Sequence, residues 1–127
     1  MQKPLSMKSA QEGVVLLEAL IAILIFSIGI LAIVGLQATM IKSTADAKYR
    51  SDASYIAQER IGQIWADPTN IATYVETNTN ISTRLPGGTR TVAQPVPGQV
   101  VVTVTWTQPG PTPATHNFTT IAQITGG

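Results

Sequence analysis

The sequence predicts an α+β protein, in which one long N-terminal helix with a transmembrane first half packs by its second half on a small antiparallel β-sheet. Three observations support this fold class. An uncharged apolar run of eighteen residues extends from Ala19 to Leu36. Apolar residues then recur every three or four positions as far as Ile64, and the segment from Val100 to Thr107 alternates between valine or tryptophan and other residues, mostly threonine.

The apolar run is long enough to cross a lipid bilayer. At about 1.5 Å per helical residue it covers about 27 Å, and the segment Val14 to Leu17 extends it past the hydrocarbon core of about 30 Å. A buried helix of a soluble protein is less favoured, because the rest of a 127-residue chain is too short to surround a helix that is apolar on every face. A conventional secretory signal also fits poorly, since its apolar region spans only about 7–15 residues.

The distribution of charged residues bears on nucleic-acid binding and on the orientation in the membrane. The eight Lys and Arg residues are scattered along the chain, so no basic patch predicts direct binding to nucleic acid. Basic residues both precede the apolar run (Lys3, Lys8) and follow it (Lys42, Lys48, Arg50), so charge alone does not settle the orientation in the membrane.

We expect neither an enzyme nor a cofactor or metal site. The chain has no cysteine, and its single histidine, His116, lies beside a proline-rich connection without a recognisable nucleophile motif. The acidic residues after the apolar run are too dispersed to match the spacing of a known metal-binding motif.

The helix is expected to continue beyond the membrane as an amphipathic segment. Its apolar stripe consists of Ile41, Ala45, Tyr49, Ala53, Ile56 or Ala57, Ile61 and Ile64. Asp46 and Arg50 form an i,i+4 pair, and Asp67-Pro68 should end the helix, because proline disfavours helical dihedral angles in the residue before it. Trp65 is expected to pack where the helix meets the following region.

The C-terminal region predicts a small sheet of three or four strands. The segment from Thr69 to Gly88 is rich in Asn and Thr and is interpreted as a loop that closes on a Pro-Gly-Gly turn. The predicted strands are Arg90 to Val96, Val100 to Thr107 and Asn117 to Ile124, joined by proline-containing connections.

One charged residue, Glu18, lies near the start of the apolar helix. A carboxylate inside a bilayer costs about 2.5–3.5 kcal/mol at the helix centre and less near an end, so it requires a partner or a function. Cleavage after Gly13 would give Val14 a cationic amine one helical turn before Glu18. The same amine on a neighbouring subunit would also neutralise Glu18, and such a contact would determine the register of assembly.

These residues resemble the signal of type IV prepilins and type II secretion pseudopilins. The features in common are a short basic leader, Gly13 at the cut, an apolar run from Val14 and a glutamate at the fifth mature position, Glu18. The segments GVVLLEALIAILIFSIGILAIVGLQ and YIAQERI most resemble minor pilins of the PilV kind. The resemblance covers Gln11 to Trp65, about half the chain, and includes no motif in the C-terminal half.

The resemblance implies a pilin-like fold and a processed precursor. Residues 1–13 would be the leader, 14–36 the transmembrane and assembly helix, 37–67 its amphipathic extension, and 68–127 a small periplasmic β-region. Prepilin peptidase would cut between Gly13 and Val14 and methylate the new Val14 amine. Val14 departs from the phenylalanine of most major pilins. Gly35 stands where many of them carry proline, and with Gly29 it marks a weak point where the helix could loosen.

The function that the resemblance implies is initiation or modulation of type IV pilus assembly, with effects on adhesion, twitching motility and DNA uptake. The implied location is the bacterial inner membrane with the C-terminal region in the periplasm, and then the pilus or its priming complex. The implied partners are prepilin peptidase, the major and other minor pilins, the assembly platform and the inner membrane, with a tip adhesin as a further candidate.

Two alternatives stay open at this point. A minor pseudopilin of a type II secretion system would have the same N-terminal chemistry, and genomic neighbours would discriminate it from a pilin. An uncleaved single-pass regulatory subunit would keep its N-terminus. Met7 is an alternative start to Met1 and leaves the cut at Gly13 unchanged.

Overall fold

The computed structural model describes residues 5–126, with side chains from residue 10 onward, and it confirms the α+β fold class. Lys3 and the other first residues of the predicted leader lie outside the described residues. The elements are helix α1 (Leu5–Ala66), a 3₁₀ helix (Pro68–Tyr74), and strands β1 (Glu76–Asn80), β2 (Thr89–Val96), β3 (Gln99–Gln108) and β4 (Ala114–Gln123). The chain forms two compact units, one up to Ser43 and one from Thr44.

The first unit consists of the N-terminal part of α1. Its large apolar side chains are exposed along the whole described length from Val14 to Ile41. Within the described residues, α1 is the one helix that is long and apolar enough to span a membrane. The prediction of a helix of this length and composition is therefore confirmed.

In the second unit the sheet is an antiparallel meander with the strand order β1-β2-β3-β4. Alternation in β3 places Val100, Val102, Val104 and Trp106 on one face, and all four are fully buried. They share one core with Ala53, Ile56, Ala57, Ile61 and Ile64 of the helix. The predicted packing on the sheet is therefore confirmed for the stripe from Ala53 to Ile64, with Tyr49 packed against the core, whereas Ile41 of the predicted stripe is 70% exposed. α1 ends at Ala66, directly before Asp67-Pro68, as predicted.

Three local predictions were wrong. The segment interpreted as a loop contains the 3₁₀ helix and β1, whose sequence ETNTN is poor in strand-forming residues other than threonine and is held by pairing with β2. The last strand starts at Ala114 rather than Asn117, because its pairing with β3 continues to Gln108. Trp65 remains 45% exposed and does not belong to the core.

A partly buried ion cluster joins the end of the helix to the sheet. Glu76 in β1 accepts hydrogen bonds from Arg60 of α1, at 3.2 Å, and from Arg90 of β2. The side chains of these three residues are only 14–16% exposed. Arg60 also donates to the carbonyl of Tyr74 at 3.4 Å. One carboxylate thus connects the helix and two strands.

Tyr74 provides a second connection to the start of the 3₁₀ helix. Its hydroxyl donates a hydrogen bond to Asp67 at 3.2 Å, and the Arg60 guanidinium lies 5.1 Å from its ring centre. Partial burial raises the pKa of Tyr74 above its ordinary value of 10.0, and the hydrogen bond to Asp67 and its negative charge raise it further, while Arg60 lowers it. The folded state therefore favours the protonated phenol.

We expect this contact to stabilise the second unit below pH 10 and to be lost as the pH rises through the higher pKa of the folded state. A Tyr74→Phe variant lacks the titrating hydroxyl and should lose less stability between pH 9 and pH 11 than the parent. Thermal unfolding of the full chain in detergent micelles measures this difference. Equal pH dependence of parent and variant would contradict the expectation.

Two glycines of the second unit, Gly88 and Gly62, provide a test of local packing. A Cβ at Gly88 would lie 2.9 Å from the Leu85 carbonyl oxygen and 2.9 Å from the Leu85 Cβ, whereas a Cβ at Gly62 on α1 would meet nothing within 4 Å. We expect Gly88→Ala to destabilise the second unit by about 1–3 kcal/mol through overpacking. The matched control, Gly62→Ala, should stabilise it by about 1 kcal/mol, because alanine has the higher helix propensity. Thermal unfolding of both variants measures these changes, and equal effects would exclude the packing explanation.

Candidate assembly segment

All five residues singled out in the sequence for processing or assembly lie in α1, within the first unit. They are Gly13, Val14, Glu18, Gly29 and Gly35. The helix is continuous through the predicted cut site and through both later glycines. No atom outside the local helix backbone lies within 4 Å of where a Cβ would stand at any of these three glycines. The structure of the single chain therefore does not require glycine at these positions.

The helix brings some of these residues onto one face. Val14 and Glu18 are four residues apart, so they are separated by about 6 Å along the axis and point in similar directions. Gly29 follows Glu18 after eleven residues, or about three turns, and lies within about 20° of the same face. Gly35 lies about 100° away from that face and so does not share it.

Glu18 is exposed in the single chain. Among the side chains that the structure describes, no cation forms an ion pair with it, since the four salt bridges all lie between Asp46 and Arg90. Its neighbours along the helix, Leu17 and Leu20, are 58% and 65% exposed and apolar. The arrangement is thus a lone carboxylate on an apolar helix that has no covering of its own.

Two side chains of this helix donate hydrogen bonds to its own backbone. The hydroxyl of Ser27, the one polar side chain between Ala19 and Leu36, donates to the Ile23 carbonyl at 2.7 Å. Thr39 donates to the Gly35 carbonyl at 3.2 Å. In both bonds the hydroxyl donates to the carbonyl four residues earlier, and serine and threonine commonly form this bond in helices. The two bonds could therefore have been predicted from the sequence. The hydroxyl of Ser27 is therefore satisfied without water.

Outside this segment the described residues contain no group of three or more His, Asp or Glu side chains that could hold a metal ion. His116 lies in β4, where its ring stacks on Trp106 with a centroid distance of 5.8 Å. This contact gives the histidine a packing role. Comparison of the chain with known protein-family models, with curated proteins and with solved structures found no match.

Proposed function

We propose that this chain is a PilV-like minor pilin, made as an inner-membrane precursor, cut by prepilin peptidase between Gly13 and Val14, and methylated at Val14. It then enters a type IV pilus or its priming complex and initiates or modulates assembly. Its partners are the other minor pilins, the major pilin and the assembly platform. Residues 14–36 serve as the membrane and assembly helix, and residues 68–127 are periplasmic.

The observation that carries this proposal is Glu18, a lone carboxylate one turn after Val14 on an uncovered apolar helix. In the bilayer this charge is costly, and a Val14 amine exposed by cleavage would offset the cost through an ion pair. An amine on an adjacent subunit would do the same and would align the two helices. The apolar side chains would exchange lipid contacts for contacts with neighbouring helices.

The helix face that carries Glu18 also suits close helix packing. Ala22, Gly29 and Ala32 lie on this face within about 40° of Glu18, and small residues allow two helix backbones to approach in an apolar environment. Ser27 lies on the opposite face of the helix, about 180° from Glu18. It adds little cost in an apolar environment, since its hydroxyl donates to the Ile23 carbonyl at 2.7 Å. These features support a helix that functions first in lipid and then among other helices.

The decisive experiment is N-terminal mass spectrometry of the membrane-purified protein from cells with and without prepilin peptidase. We expect the mature chain to begin at Val14 with one added methyl group when the peptidase is present, and the leader to be retained when it is absent. An intact leader in cells that contain the peptidase would identify a permanently anchored subunit and overturn the proposal.

Gly13 provides the corresponding mutational test. We expect Gly13→Leu to slow cleavage about tenfold or more, because the leucine side chain would lie beside the scissile bond. A tenfold slower rate corresponds to an activation free energy that is higher by about 1.4 kcal/mol. The helix itself should tolerate the change, since nothing lies within 4 Å of a Cβ at this position. Gly29→Ala, in an equally open environment, is the matched control and should be cut at the parental rate. Normal processing of Gly13→Leu would contradict the assigned cut site.

A further inference from the structure

The ion cluster of Arg60, Glu76 and Arg90 carries more positive than negative charge. Glu76 pairs with both arginines, and it is the one acidic side chain that contacts either of them within the described part of the chain. Its two oxygens are divided between them, since Oε2 accepts from Arg60 and Oε1 accepts from Arg90. Two guanidinium groups and one carboxylate leave the cluster with a net charge of +1.

The other acidic side chains near the cluster are engaged elsewhere. Glu59, next to Arg60 in the chain, pairs with Arg84 at 2.8 Å. The two oxygens of Asp67 accept hydrogen bonds from neutral side chains, at 2.8 Å and 3.2 Å. Among the residues that the structure describes, neither carboxylate forms an ion pair with an arginine of the cluster. The excess positive charge is therefore not compensated by direct contact.

Partial burial makes this excess charge costly. The side chains of Arg60 and Arg90 are only 16% and 14% exposed, so they retain little contact with water. Arg50, by comparison, is 55% exposed on α1 and can be hydrated. A charge that is removed from water costs free energy unless an opposite charge lies beside it. An anion at the cluster would offset this cost.

Arg90 also has donors that no protein group uses. Its Nε donates to Glu76, whereas no acceptor in the described chain contacts its two terminal nitrogens. These nitrogens are not among the fully buried side-chain atoms that lack a hydrogen-bond partner, so solvent reaches them. In Arg60, by contrast, one terminal nitrogen donates to Gln63 and the other to Glu76 and to the Tyr74 carbonyl. The open donors of the cluster are thus the terminal nitrogens of Arg90.

We infer that the terminal nitrogens of Arg90 bind an oxyanion, which is either a carboxylate of another protein chain or a free phosphate. A guanidinium group presents parallel N–H donors that match two oxygens of a carboxylate or a phosphate. A bound carboxylate reduces the net charge of the ion cluster from +1 to 0. The site lies in the second unit, and it is independent of the proposed cleavage and assembly through α1.

The test titrates the full chain in detergent micelles with inorganic phosphate and, separately, with the peptide acetyl-Gly-Glu-Gly-amide, at constant ionic strength. Backbone amide NMR signals of β1 and β2 report binding. We expect them to shift and saturate, and Arg90→Gln to raise the Kd about tenfold or more, because the charge-assisted hydrogen bonds are lost. This variant keeps the pair of Arg60 with Glu76, so the unit should stay folded. Arg50→Gln, at an exposed arginine, is the matched control and should bind like the parent.

The two ligands distinguish the sources of the anion. Tighter binding of the peptide assigns the site to a protein carboxylate, and tighter binding of phosphate assigns it to the free anion; the same peptide with glutamine in place of glutamate should not bind. No saturable shift with either ligand, an equal Kd for the parent and Arg90→Gln, or equal weakening by Arg50→Gln would overturn the inference. The mass of the N-terminus reports separately on the proposed function.

Discussion

A Glu18→Ala variant is expected to lose its leader at the parental rate and to enter filaments about tenfold to a hundredfold less efficiently. The variant loses the charge-assisted contact between Glu18 and the Val14 amine. A loss of about 1.4–2.8 kcal/mol in binding free energy corresponds to a tenfold to hundredfold lower efficiency. Alanine also removes the cost of burying a carboxylate in lipid, so the variant is retained more favourably in the membrane. Both effects act in the same direction. Cleavage should not change, because the variant keeps Gly13 and Val14.

The measurement is the fraction of the protein found in sheared filaments relative to the membrane, together with the N-terminal mass of each fraction. Glu12→Ala is the matched control, since it makes the same chemical change six residues earlier on the same exposed helix, in the segment that the proposed cleavage would remove. It should assemble like the parent. If Glu18→Ala assembles as well as Glu12→Ala, Glu18 does not determine register.

The largest expected effect on folding is that of Trp106→Ala. Trp106 is fully buried in β3, and its removal leaves a cavity in a core of only fourteen buried apolar residues in the described chain. Replacing a buried tryptophan by alanine costs about 3–5 kcal/mol, a large share of the total stability of a small domain. For a unit of this size, each kcal/mol corresponds to about 4–8 °C in Tm.

Trp65→Ala is the matched control, because it is the same substitution at a tryptophan that is 45% exposed on α1. We expect it to cost less than about 1 kcal/mol. Amide exchange of β3 in the full chain, measured in detergent micelles, reports on the second unit without interference from the apolar helix. Similar effects of the two substitutions would show that Trp106 does not support the core.

Trp106→Phe separates packing from polarity. The indole Nε1 of Trp106 is buried without a hydrogen-bond partner in the described structure. An unsatisfied buried donor costs about 1–3 kcal/mol, so phenylalanine loses volume but removes this cost. We therefore expect Trp106→Phe to be much less destabilising than Trp106→Ala, and the same amide-exchange measurement compares the two. Equal destabilisation would show that volume alone matters at this position.

Segments with a strong hydrophobic periodicity were predicted more accurately than segments without one. Val100 to Trp106 alternate so regularly that the strand was predicted correctly. β1 was missed, because Asn and Glu, which are depleted in strands, make up three of the five residues of ETNTN. Its conformation depends on pairing with β2 and on the ion pairs of Glu76 with Arg60 and Arg90, partners that lie 16 and 14 residues away.

The sequence by itself determined the long helix, its apolar first half, its end before Pro68 and the identity of the lone carboxylate Glu18. These properties depend on local periodicity and composition, which neighbouring residues carry. Only the tertiary structure decided that Trp106 is buried while Trp65 is exposed, that Glu76 joins three elements, and that Arg60 and Arg90 share its carboxylate. Each of these depends on which distant segments lie side by side, and no single segment of sequence contains that information.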